Sequence, residues 1–122
     1  MNRKEEICLE IDGIDAQIER HKSFIFELEE SYKVIKMNYD AIVERALKPI
    51  KGYDLSSLSK YGQDVLKKTE EYRRNVVKET EKPLQDTLKL LSEIQDAKKQ
   101  ILGKMKKYEN KKKKLKAELE TL

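Results

Sequence analysis

The apolar residues of the first third of the chain advance by four and three without a slip: Ile7, Ile11, Ile14, Ile18, His21, Ile25, Leu28, Tyr32, Ile35, Tyr39, Ile42 and Ala46. A mean step of 3.5 residues keeps one stripe of an α-helix turned toward a partner along its length, the a/d pattern of coiled coils. Only His21 among these positions is polar. The spacing predicts a helix over residues 3–47, about 65 Å long at the helical rise. Gly13 lies off the stripe, where it costs up to about 1 kcal/mol without ending the helix.

A second stripe begins at Leu58, Tyr61, Val65, Tyr72 and Val76. It continues in a slightly shifted phase through Val77, Leu84, Leu91, Ile94, Ile101, Met105, Tyr108, Leu115, Leu119 and Leu122, with Thr80, Thr87, Lys98 and Lys112 as interruptions. This predicts a longer helix over residues 56–120. Pro83 sits between the two phases, so a kink or short break is expected at residues 80–83. A full reversal there is disfavoured because "KETEKPLQ" contains no glycine.

The reversal is expected instead in "LKPIKGYDLSSLSKYGQDV", residues 47–65. Pro49 disfavours helix at Lys48, Gly52 permits a positive φ, and Asp54, Ser56 and Ser57 are candidate N-caps. A turn at 48–55 would fold two amphipathic helices back on each other and bury both stripes. The chain is 41% charged and 38% hydrophobic, which suits a narrow seam better than a thick core. Its 122 residues make one domain. The expected fold is therefore all-α: a single antiparallel helical hairpin whose second helix is longer and kinked near Pro83.

On this pairing, the first helix covers roughly residues 56–100 of the second. The remainder would overhang with Ile101, Met105, Tyr108, Leu115, Leu119 and Leu122 unpaired. Two helices alone rarely bury enough apolar surface to offset chain entropy, so association with another helical protein or a second copy is expected.

No catalytic assembly is visible. One cysteine, Cys8, rules out an internal disulfide framework, and one histidine, His21, argues against a zinc site. His21 reads as a polar spacer that sets register, and Cys8 as a small hydrophobe. The carboxylate pairs Glu5/Glu6, Glu29/Glu30 and Glu70/Glu71 lie among lysines, with no phosphate loop or nucleophile elbow nearby, and read as solvated faces. Neither an enzyme activity nor a cofactor, metal or small-molecule substrate is expected. The N-terminus lacks the apolar run of a secretory signal and no window suggests a membrane span, so a cytoplasmic protein is expected.

Charge is unevenly placed. Residues 98–116, "KKQILGKMKKYENKKKKLK", carry ten lysines and one glutamate, whereas the remainder of the chain is net acidic. Such a run attracts polyanions without reading sequence. It has no arginine and one aromatic, so nucleic acid or membrane as a principal partner is disfavoured.

Length, two helices and aromatics at the turn together resemble the small WXG-like helical proteins of Gram-positive type VII secretion, in particular the companions of LXG toxins. In that family the turn reads Trp-x-Gly, followed by small and aromatic residues opening the second helix. Here "YDLSSLSKY" aligns, with Tyr53 at the tryptophan, Leu55 at the glycine, Leu58 at the small residue and Tyr61 at the aromatic. The chain has no tryptophan, and the family's C-terminal export spacing is missing, since Tyr108 is followed four residues later by Lys112. The resemblance therefore implies an accessory adaptor or chaperone rather than a bearer of the secretion signal. It would pair with a toxin's N-terminal helices or a WXG-like companion and could leave the cell with its cargo.

The residues expected to meet the partner are Ile18, Ile25, Leu28, Tyr32, Ile35, Tyr39, Tyr53, Leu55, Leu58, Tyr61, Ile101, Met105, Tyr108, Leu115 and Leu119. Two alternatives are a homo-oligomeric structural coiled coil and a lysine-driven nucleic-acid binder. A prefoldin-like subunit is disfavoured, because residues 48–57 are too few to build its β-hairpins.

Overall fold

The computed structural model describes all 122 residues. It contains helices and no strand, in agreement with the all-α class: α1 (Arg3–Ile42), a π-helical turn (Val43–Leu47), α2 (Lys48–Gly52), a 3-10 turn (Ser56–Tyr61) and α3 (Gln63–Glu120). Asn2 opens α1, its Oδ1 accepting the Glu5 N–H at 2.8 Å. A side-chain oxygen there satisfies one of the four orphan donors of the first turn, worth about 1 kcal/mol.

The helix expected to stop at residue 47 continues to Gly52. Pro49 lies in the first turn of α2, where its missing N–H costs little. The adjustment falls upstream, where the Lys48 N–H bonds to the Val43 carbonyl in the wider π pattern. The extra residue in that turn rotates everything after it by about 100° relative to a regular helix. The expected turn at 48–55 thus begins only after Gly52. Gly52 is helical, and Gly62 carries the positive φ, +111°. The predicted helix start at residue 56 is a 3-10 turn, and α3 proper begins at Gln63.

Pro83 lies inside α3 without interrupting it, so the break expected at 80–83 is absent. The proline withdraws one donor from the Glu79 carbonyl, a penalty of about 3 kcal/mol. A long helix anchored by half-buried Val76, Val77 and Thr80 before the proline and by buried Leu84 and Leu91 after it tolerates that loss.

The chain divides into two compact units. The terminal unit, Met1–Ser31 with Glu93–Leu122, is built on buried Ile7, Ile14, Ile18, Met105 and Leu115, against which Ile11, Ile25, Ile101, Tyr108 and Leu119 pack. Ion pairs join Arg3 to Glu118, Asp15 to Lys112 and Glu29 to Lys98. Rising numbers on α1 meet falling numbers on α3, so the two segments run in opposite directions here. The overhang expected beyond residue 100 is therefore not found: residues 101–119 pack on the beginning of α1 within the same chain.

The elbow unit, Tyr32–Ser92, buries Leu47, Leu84 and Leu91. The inward positions of its first strand of helix run Ile35, Tyr39, Val43, Leu47 and Ile50. Ile42, expected on the seam, is exposed. Tyr61 at the end of the 3-10 turn and Val65 and Tyr72 on α3 are exposed as well, while Leu66, Thr69, Arg73 and Val76 are half-buried. The inner face of α3 is set by the heptads that pass through Thr80 and Thr87. These threonines are not interruptions: Thr80 Oγ1 donates to the Val76 carbonyl at 2.7 Å and Thr87 Oγ1 to the Pro83 carbonyl at 2.9 Å. A hydroxyl satisfied by its own helix can face a seam without an unpaired polar atom.

Candidate functional site

The elbow unit carries an open apolar groove of about 390 Å³ lined by Pro49, Ile50, Tyr53, Leu55, Thr69, Tyr72, Arg73 and Val76. Three backbone events place these residues together. Pro49 and Ile50 project from α2, whose end is marked by Tyr53 turning to extended backbone, with φ −68° and ψ 126°. Asp54 then accepts the Ser56 N–H at 2.9 Å, which starts the 3-10 turn. That hydrogen bond is the main reason the Asp54 carboxyl is held below its ordinary range. The far wall is one face of α3, where Thr69, Tyr72, Arg73 and Val76 fall at i, i+3, i+4 and i+7.

Arg73 clamps the groove from the side. One guanidinium nitrogen donates to the Tyr53 carbonyl and another to Glu70 at 2.9 Å. Lys51 pairs with Glu81 across the same unit. The apolar surface between these clasps stays open: Tyr53 is 69% and Tyr72 71% exposed. Large aromatics left uncovered around a concave apolar surface are the usual composition of a protein-binding patch.

The sequence-predicted contact residues fall into three groups. Ile18, Met105 and Leu115 are buried in the terminal unit, and Ile25, Leu28, Ile101, Tyr108 and Leu119 are half-buried there. Tyr32, Ile35, Tyr39, Leu55 and Leu58 are half-buried in the elbow unit, where Tyr53 and Tyr61 are exposed. Of all these, only Tyr53 and Leu55 line the groove. Its other walls were not anticipated as contacts. Pro49 reads only as a residue of the expected turn, Tyr72 and Val76 read as members of the second stripe, and Ile50, Thr69 and Arg73 are given no role. The available signal was the close succession of Pro49, Ile50 and Tyr53 opposite an i, i+3, i+7 face containing Tyr72 and Val76.

Of the ten lysines between residues 98 and 116, Lys98 and Lys112 are in ion pairs and half-buried, and the other eight are exposed. Cys8 is exposed and unpaired. No helix is long and apolar enough to cross a membrane. No protein-family model matches the chain, and no curated protein or solved structure matches it.

Proposed function

We propose that this chain is a non-enzymatic helical adaptor that completes a bundle with a partner helical protein, docking it on the groove at the elbow. The exposed pair Tyr53 and Tyr72, set beside Pro49, Ile50, Leu55 and Val76, carries the proposal. Fully desolvating two tyrosines and their neighbours on a partner would supply the concentrated apolar contact on which interfaces depend. The thin interior supports the same reading: eight hydrophobic side chains are buried in 122 residues, so a third or fourth helix would add much to the core.

The finer architecture belongs to this proposal as well. Pairings of Arg3 with Glu118, Asp15 with Lys112, Lys51 with Glu81 and Tyr53 with Arg73 support the reading of an antiparallel helical hairpin. Pro83 and the back-bonded Thr80 and Thr87 would give its second arm a bend. The likeness of "YDLSSLSKY" to the turn of WXG-like proteins points to an LXG toxin's N-terminal helices, or a WXG-like companion, as the partner, within type VII secretion.

The test is co-expression with the N-terminal helical region of such a toxin. The wild-type chain should co-purify with it, and Tyr53→Asp with Tyr72→Asp should weaken the complex at least tenfold while leaving the circular dichroism spectrum unchanged. A wild-type chain that runs as a monomer by light scattering and captures no such region would overturn the proposal. A stable homodimer dissolved by the same two substitutions would assign the groove to a second copy of the chain. Bound nucleic acid released as salt rises would assign the function to the lysines.

A further inference from the structure

The terminal unit contains a second hollow, of about 460 Å³, lined by His21 from α1 and by Lys104, Lys107, Tyr108 and Lys111 from α3. The three lysines follow at i, i+3 and i+7, so their ammonium groups rise from one face of the helix. None of them is in an ion pair, although Lys98 and Lys112 on the same helix are paired with Glu29 and Asp15. No carboxylate lines the hollow. A neighbouring depression differs in this respect: there Lys22, Lys112, Lys113 and Lys116 are interleaved with Asp15, Glu19 and Glu109. Positive charge is thus neutralised locally at one site and left unopposed at the other.

His21 is held at the wall in a defined state. Its Nδ1 lies 2.8 Å from the Gln17 carbonyl oxygen, which can only accept, so Nδ1 carries the proton and Nε2 is the nitrogen left free. The ring also meets Tyr108 edge-on, with centroids 5.6 Å apart and planes at 78°. The Phe24 ring lies nearby, its centroid 6.4 Å from that of His21 and its plane tilted by 57°. The imidazole is therefore positioned before any ligand arrives.

We propose that this hollow binds a compact phosphate group of two or more negative charges, such as pyrophosphate or the phosphate end of a nucleotide. Lys104, Lys107 and Lys111 would surround the anion. His21 lines the same hollow with its Nε2 edge free, so its ring reports an anion seated there. Three like charges on one helix face repel one another, and a multivalent anion relieves that repulsion while gaining their attraction. The site shares no residue with the elbow groove and does not depend on the adaptor reading.

The experiment is a titration of the full chain with inorganic pyrophosphate at about 0.15 M ionic strength, where the Debye length is about 8 Å, followed by nuclear magnetic resonance. The His21 ring signals and the amides around Lys104, Lys107 and Lys111 should shift together and saturate. Substituting Lys104→Gln, Lys107→Gln and Lys111→Gln together should weaken binding by about tenfold or more, as expected for three charges at contact range. The matched set Lys113→Gln, Lys114→Gln and Lys116→Gln should change it by less than about twofold, since those charges lie beyond the site and are screened. A parallel titration with ADP separates the two sources: tighter binding than pyrophosphate indicates a nucleotide, equal binding a free anion. Equal weakening by both lysine sets would show diffuse attraction to the whole basic stretch and overturn the site. Failure of the His21 signals to saturate would overturn it too.

Discussion

The terminal unit and the elbow unit are made from the same two long helices and bury their side chains differently. In the terminal unit the stripes keep strict four-and-three spacing, and five side chains form one buried cluster flanked by ion pairs. In the elbow unit three side chains are buried, and every irregularity of the backbone is found there: the π turn, Pro49, the 3-10 turn, Gly62 and Pro83. Exposed Tyr53, Tyr61 and Tyr72 belong to this unit as well. The difference teaches that where the four-and-three spacing is regular the stripe is covered within the chain, whereas where it breaks, aromatic residues of the expected stripe stay exposed.

The sharpest way to break this comparison is to cut equal amounts from each core. Ile14 and Leu84 are 6% and 5% exposed, so the transfer terms are alike and the cavity left behind decides the outcome. Ile14→Ala, within the dense terminal cluster, should cost about 4 kcal/mol, and Leu84→Ala, in the sparser elbow, about 2 kcal/mol. Urea unfolding of both variants measures this; a larger loss for Leu84→Ala would reverse the ranking of the two cores.

A smaller effect separates the two glycines of the elbow. Neither has any atom within 4 Å of where a Cβ would stand, so only backbone conformation distinguishes them. Gly62, at φ +111° and ψ 151°, occupies a region that side chains avoid, and Gly62→Ala should destabilise by about 1–3 kcal/mol. Gly52→Ala sits in helix and should stabilise by about 0.5–1 kcal/mol. Thermal melting should move in opposite directions for the two. A shared direction would mean that the elbow backbone is not as described.

The smallest effect concerns the clasp at the chain ends. Arg3 grips Glu118 through two hydrogen bonds, of 2.8 and 3.0 Å. This grip holds the Glu118 carboxyl below its ordinary value of 4.5 and pushes the Arg3 guanidinium further up. A depressed carboxyl contributes stability that is fully present above its unfolded pKa and is lost as pH falls through the folded one. Acid should therefore loosen the terminal unit below about pH 4.5, and Glu118→Gln should flatten that part of the stability profile. The exposed setting keeps the effect modest. An unchanged profile in Glu118→Gln would show that the clasp contributes nothing.

Much of this was legible in the residues. The stripe from Ile7 to Tyr39 reappears as the inward face of α1, because a helix of unbroken period can present only one such face. The all-α class followed from the same pattern. The groove was half legible: Tyr53 and Leu55 stood out, whereas Tyr72 was assigned to a stripe and lies outside it. Its phase on α3 depends on Thr80, Thr87, Lys98 and Lys112, polar residues that look like flaws in a seam until each is seen with its hydrogen-bond or ion-pair partner.

The sequence by itself determined that this chain is helical and that each long helix has one apolar edge, since both properties arise from neighbours within a few turns. Only the tertiary structure decided how those edges are used. It matched Arg3 to Glu118, leaving residues 101–119 packed on α1, and it let helix pass through Pro49 and Pro83. It also gave the left-handed backbone to Gly62 in place of Gly52. Register and turn position depend on contacts between residues far apart in the chain, and a periodic pattern is satisfied equally well by several registers until those contacts choose one.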